Sequence, residues 1–323
     1  MKTPPAALGS LTVTALAALG LPALQAQTLY SDNFDANTSA LWTISTSDAG
    51  ADTFATFAYD YSADGIPAAP NSAGTTRGLR FTANNAAPNV AAGLSASPNG
   101  QLFTGDYELR FDLWINANGP FPAGGTGSTQ FASAGVGLGA PALVWSGGAP
   151  AGVPWFGVSG EGGSVQDYRA YLGGTQFGAT SGVYAAGTTG EPRDAGNAFY
   201  TALFPGQQPP PLQQAAGTNQ TGAVQNGAIG FGWRDVAVRK EGPSITWSID
   251  GNLIATINTA TNVVQTDGTV AVGYFDPFNS VTDAPQFSFG VVDNVRVNQV
   301  PEPGLFALGA VGAGVLLLRR RRG

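Results

Sequence analysis

Asp250-Gly251 stands between two alternating runs, Ile245-Thr246-Trp247-Ser248-Ile249 and Asn252-Leu253-Ile254-Ala255. A two-residue hairpin loop needs left-handed backbone that Asp and Gly tolerate, so the pair predicts a tight β-hairpin. Glu241-Gly242-Pro243 and Asp267-Gly268 are turn signals of the same kind. They divide residues 230–297 into runs at 230–240, 244–250, 252–258, 269–275 and 286–297, which read as an antiparallel meander. Upstream, residues 29–34, 53–59, 78–82, 90–96, 107–115, 134–139, 155–159 and 167–172 read as further strands. No internal window carries a long 3.6-residue apolar period, and 46 glycines and 22 prolines in 323 residues interrupt any extended helix. The expectation is an all-β fold of two packed antiparallel sheets, without helices, over residues 27–299. Residues 119–127 and 205–222 are low-complexity, and the second is expected to lack a single conformation.

The two ends are of another kind. Met1-Lys2, an apolar stretch at 11–21 and Ala23-Leu24-Gln25-Ala26 read as a secretory signal peptide over residues 1–26. Val300-Pro301-Glu302-Pro303 precedes fifteen apolar or glycine residues at 304–318, and then Arg319, Arg320, Arg321 and Arg322. Fifteen helical residues span roughly 22 Å against a hydrocarbon core of about 30 Å, so 304–318 makes a single short transmembrane helix. The arginines would stay cytoplasmic, as a stop-transfer cluster, and leave the body outside. Prolines 301 and 303 keep the preceding backbone extended.

This tail resembles the PEP-CTERM sorting signal of Gram-negative bacteria. The resemblance implies recognition of residues 300–323 by an exosortase, a membrane-embedded cysteine transpeptidase, with transient membrane anchoring and delivery to the cell surface or extracellular matrix, often beside exopolysaccharide. It covers about a fourteenth of the chain and is silent on the body.

Charge and composition exclude several classes. Without Lys2, Glu302 and the four terminal arginines, the 14 basic and 21 acidic residues fall to 9 and 20, a net −11. Nucleic acid is therefore not an expected partner of the body. The absence of His and Cys rules out Ser-His-Asp and Cys-His catalysis and the usual zinc sites within the chain.

In residues 107–115, Tyr107, Leu109, Phe111, Leu113 and Ile115 share one face, which reads as core. Asp106, Glu108, Arg110, Asp112 and Trp114 share the other. Two readings stand: cross-strand salt bridges on a solvated face, or a glycan-binding groove in which Trp114 stacks on a pyranose while Glu108, Arg110 and Asp112 bond hydroxyls. A glycoside hydrolase needs two suitably spaced carboxyl groups, and Asp106-x-Glu108-x-Arg110-x-Asp112 places an arginine in the middle of the run. In residues 158–171, Asp167, Arg169 and Tyr171 form either a ligand surface or a loop stapled by Asp167 pairing with Arg169.

The hairpin at 245–255, the opening Tyr30-Ser31-Asp32-Asn33-Phe34-Asp35 and the closing Val292-Asp293-Asn294-Val295-Arg296-Val297 resemble concanavalin-like and laminin-G-like jelly rolls. The resemblance implies a jelly roll and a structural calcium linking Asp32 and Asp293, with capped strand ends as the alternative. The functional expectation is an exported, non-enzymatic surface or matrix protein. A carbohydrate-binding, lectin-like module is the alternative, and a glycoside hydrolase a distant one.

Overall fold

The computed structural model describes residues 26–47, 52–86, 90–216 and 219–301. Residues 1–25 of the signal peptide, Glu302, Pro303, the 304–318 segment and Arg319 to Arg322 lie outside the described residues, which include no helix long and apolar enough to cross a membrane.

In chain order the strands are β1 (Thr28–Asp32), β2 (Trp42–Thr46), β3 (Phe54–Asp60), β4 (Arg77–Thr82), β5 (Ala92–Pro98), β6 (Tyr107–Asn116), β7 (Phe131–Leu138), β8 (Pro154–Ser159), β9 (Tyr168–Leu172) and β10 (Thr175–Gln176). After two short helices, α1 (Ala198–Leu203) and α2 (Pro211–Ala216), come β11 (Arg234–Glu241), β12 (Ser244–Ile249), β13 (Asn252–Asn258), β14 (Thr269–Asp276) and β15 (Phe289–Gln299). They pack as an antiparallel sandwich of two sheets. One is ordered β13-β12-β11-β6-β15-β4-β3, with β1 also on β15; the other is β10-β9-β8-β7-β14-β5-β2.

The hairpin at Asp250-Gly251 forms as its sequence requires, with φ of 52° and 75° at the two loop residues. The meander is only partly realised. Strands β11, β12 and β13 are consecutive neighbours, but β14 crosses to the second sheet between β7 and β5, and β15 returns to the first between β6 and β4. Burial gives the reason. All eight residues of β14 and the first five of β15 are buried, so each needs neighbours on both sides.

The core lies between the sheets. Tyr107, Leu109, Phe111, Leu113 and Ile115 all point into it, where β6 faces Ala132, Ala134, Phe156 and Val158. Trp247 stacks on Phe156 at 5.3 Å between ring centroids. The outer face of the second sheet is covered by its own loop. Val144 and Trp145, between β7 and β8, pack over Phe131, Trp155, Tyr171 and Phe275. The Val144 N–H donates to Ser95 Oγ and its carbonyl accepts from Ser133 Oγ, each at 3.1 Å. The outer face of the first sheet splits into a charged lattice in the middle of β6 and an aromatic cluster at its end.

The described part of residues 205–222, a range expected to lack a single conformation, is held by two buried amides. Gln213, in α2, donates to Asn116 Oδ1 at 2.9 Å and to the Asp64 carbonyl at 3.1 Å. Its Oε1 accepts from Asn116 Nδ2 at 3.0 Å and Gln220 Nε2 at 3.2 Å. Composition counts polar residues; it does not reveal that two of them are turned inward to bind the end of β6.

Candidate functional site

At that end of β6, on the outer face of the first sheet, an open cleft of about 640 Å³ runs between two loops. One wall is the segment from Gly206 to Pro211 with Gln214; the other is Gly65, Pro67 and Trp233, with Trp114 and Phe231 also on the lining. Its volume is that of a small-ligand site. None of the lining side chains is ionisable.

The aromatic floor is locked. Trp114 meets Trp233 edge to face at 5.8 Å and Phe231 at 6.5 Å, while Phe231 in turn meets Phe121 at 5.1 Å. Trp233 also lies 5.1 Å from Tyr61. Both indole N–H groups are already used: Trp114 donates to Asn116 Oδ1 at 3.2 Å and Trp233 to the Pro67 carbonyl at 2.7 Å. Trp233 keeps a partly exposed ring, so it offers an apolar face in a fixed orientation. Phe231 holds φ of 58°, a conformation that costs a bulky residue free energy, fastened by its N–H on the Ile115 carbonyl at 3.1 Å. Gly65, at φ 74°, lets the two walls approach; a Cβ there would meet Leu212 Cβ at 2.9 Å.

The amides on the other wall have unused capacity. Gln207 Nε2 donates to the Pro205 carbonyl at 3.1 Å and Gln214 Nε2 to the Pro209 carbonyl at 2.6 Å. The Oε1 atoms of Gln207, Gln208 and Gln214, and the whole Gln208 amide, have no side-chain partner among the described residues. A stiff aromatic face opposite amides that can donate and accept suits a ligand with apolar faces and hydroxyl edges.

The four residues singled out on β6 separate. Glu108 and Arg110 belong to the lattice: Arg110 pairs with Asp235 through Nε at 2.7 Å and with Glu108 at 3.5 Å, and Glu108 lies 3.9 Å from Arg239. This is the cross-strand salt-bridge reading. Asp112 is buried, accepting from Asn71 Nδ2 at 2.7 Å, the Asn71 N–H at 3.1 Å and Asn294 Nδ2 at 2.9 Å. Trp114 alone borders the cleft, and with 3% of its surface exposed it is floor rather than a free stacking platform. Trp233 takes that place. Asp106, the other carboxylate of that face, is held by Lys240 at 3.0 Å.

Asp32 and Asp293, expected to share a calcium, are each engaged by protein donors. The carboxylate of Asp32 accepts from the Phe34 N–H at 2.9 Å and from Trp42 Nε1 at 2.8 Å. That of Asp293 accepts from Tyr61 Oη at 3.1 Å and the Asn294 N–H at 2.7 Å. Every oxygen of the pair already has a protein donor, and no group of three or more acidic, His or Cys side chains among the described residues is placed to hold a metal. A second open cleft, about 480 Å³, borders Asp32, Asn71, Asn294 and Arg296 but not Asp293.

In residues 158–171 Asp167 and Arg169, expected to staple the loop by pairing, form no ion pair with each other, and each is held by other partners. Asp167 accepts from Ser159 Oγ at 2.6 Å and from the Ala195 and Ser164 N–H groups at 3.0 and 3.1 Å. Arg169 lies 4.0 Å over the Phe131 ring, and Tyr171 stacks on Trp155 at 3.8 Å. The unusual carboxyl groups are buried away from the cleft. Burial pushes Glu161 up to about 8 with help from the neighbouring charge of Asp167, and pushes Asp167 up to about 6. Burial likewise raises Asp276 and Asp293 to about 7.

With this geometry in place, the class of the protein is a two-sheet antiparallel β-sandwich carrying an aromatic and amide cleft on one outer face. No protein-family model matches the chain, and no characterised protein matches it by sequence. Solved structures that it resembles include a laminarinase from Rhodothermus marinus, at 12% identity and a TM-score of 0.44 over 86% of this chain and 99% of that one. A family 16 glycoside hydrolase endo-glucanase from Bacteroides ovatus is similar at 14% identity and a TM-score of 0.41, covering 83% and 99%. A carbohydrate binding module from Bacillus subtilis is similar at 9% and 0.33, covering 68% and 86%. These neighbours correct the expectation of a non-enzymatic surface or matrix protein: they are carbohydrate-active enzymes and a carbohydrate-binding module.

Proposed function

We propose that this protein is a carbohydrate-binding β-sandwich whose ligand lies in the cleft between Trp233 and the Gln207–Gln214 wall. The observation that carries the reading is the immobilised Trp233 ring, with its N–H engaged on Pro67, lining one cleft with the glutamine amides whose Oε1 atoms have no donor among the described residues. A pyranose has apolar C–H faces and a hydroxyl rim, and stacking with edge hydrogen bonds satisfies both at once. The sequences of the two ends support export and exosortase-dependent sorting to the surface of a Gram-negative cell, where polysaccharide would be at hand.

The test is a glycan array probed with residues 27–299 and with Trp233→Ala. Binding that is lost in the variant supports the proposal. An array on which nothing binds, or on which the variant binds as well as the parent, overturns it. Reducing-sugar release from the bound glycans, measured alongside, shows whether binding is followed by cleavage.

A further inference from the structure

The cleft's hydrogen-bonding inventory reaches further than its shape. Three glutamine side chains present three amide oxygens, and an amide oxygen accepts two hydrogen bonds. None of the three is occupied by a donor from the described residues. On the donor side, Gln207 and Gln214 have each committed one N–H to a backbone carbonyl, and both indole N–H groups are spent. Pro209, Pro210 and Pro211 contribute no N–H at all. Acceptors therefore outnumber donors on the wall.

Charge points the same way. No cation lines the cleft. The guanidinium of Arg234, behind Gly232, donates to Asp250 at 3.0 Å and to the Ile229 carbonyl at 3.2 Å and lies 5.2 Å over Phe204; its Nη2, without a protein partner, is buried rather than presented to the cleft. A carboxylate or sulfate only accepts hydrogen bonds; in this cleft it would lose hydration, meet a surplus of acceptors and find no exposed counter-charge, on a body of net charge −11. A hydroxyl donates as well as accepts, and so completes the glutamine oxygens.

Resting on the carbohydrate reading above, we infer that the cleft selects the uncharged, hydroxyl-rich chain of a neutral polysaccharide and rejects uronate- or sulfate-bearing ones. Gln208, exposed on the wall with its whole side-chain amide uncommitted, is the residue through which this selectivity is set.

The experiment is calorimetric titration of the protein with two sets of hexasaccharides: cellohexaose, laminarihexaose and xylohexaose, and hexamannuronate and hexagalacturonate. The parent, Trp233→Ala and Gln208→Lys are compared at low and at physiological salt. The expected result is a neutral hexasaccharide binding at least about tenfold more tightly than either uronate, a difference of about 1.4 kcal/mol. That binding is lost in Trp233→Ala, and Gln208→Lys gains salt-sensitive uronate binding. Uronate binding equal to or tighter than neutral binding, and lost in Trp233→Ala, overturns the selectivity while leaving the carbohydrate reading standing. No binding by any of the five, or binding untouched by Trp233→Ala, overturns both.

Discussion

Trp114 and Trp233 meet edge to face, 5.8 Å apart at 60°, with both N–H groups bonded inside the protein. One ring comes from the strand β6 and is buried; the other comes from the segment leading into β11 and is partly exposed. The buried ring holds the exposed one at a fixed angle to the cleft, so the two should respond differently to truncation.

For Trp233→Ala, glycan affinity is expected to fall by ten- to a hundredfold, about 1.5–3 kcal/mol of lost stacking, with a modest loss of stability. For Trp114→Ala, the loss is expected in stability first, about 3–5 kcal/mol, as for a truncated core aromatic. Thermal unfolding and titration of both variants separate the roles; equal losses of stability would contradict them.

Gln213 is expected to be more important than its place in a proline- and glutamine-rich loop implies. Gln213→Ala removes one buried partner each from Asn116 Oδ1, Asn116 Nδ2 and Gln220 Nε2, at a cost of about 1–3 kcal/mol. It also frees the wall that carries Gln214. Hydrogen exchange of residues 205–222 should rise in the variant, and unchanged protection there would contradict the role given to the amide network.

Stability is expected to fall from acid to mildly alkaline pH. Glu161, Asp276, Asp293 and Asp167 all have folded pKa values above those of free carboxyl groups, at about 8, 7, 7 and 6. Between the unfolded and folded values the folded state holds the proton, so each stabilising contribution is complete below about pH 4 and is lost as pH rises through the folded pKa. The melting temperature should therefore drop between pH 5 and pH 8. Glu161→Gln should flatten the upper part of that profile. A melting temperature that rises over the window would contradict the burial of these groups.

Calcium removal is expected to change nothing in the fold. Since the oxygens of Asp32 and Asp293 are taken by N–H and O–H donors, chelator should leave the melting temperature where it was. A fall of several degrees in chelator, reversed by added calcium, would show that the donors around Asp293 give way to an ion.

Much of the fold was legible because it rests on local rules. Alternation located β6 and its inward face residue by residue, and Asp250-Gly251 declared its hairpin. What the local rules cannot carry is the sheet to which a doubly buried strand belongs, and β14 left the meander for that reason. The site was less legible. Trp114 was singled out because alternation sets it on the outer face of β6, but a side chain can be outward from a sheet and still lie beneath a loop. Trp233 and the glutamine wall carry no pattern of their own. They become a site only when Gly65 lets two loops, more than 140 positions apart in the chain, close to van der Waals distance.

The position of the ligand can be seen in a crystal structure of the protein soaked with cellohexaose or laminarihexaose. The expected result is a pyranose ring stacked on Trp233, with hydroxyls on Gln207, Gln208 or Gln214. A sugar bound instead on the outer face of the second sheet, in place of Trp145 and its loop, would contradict it.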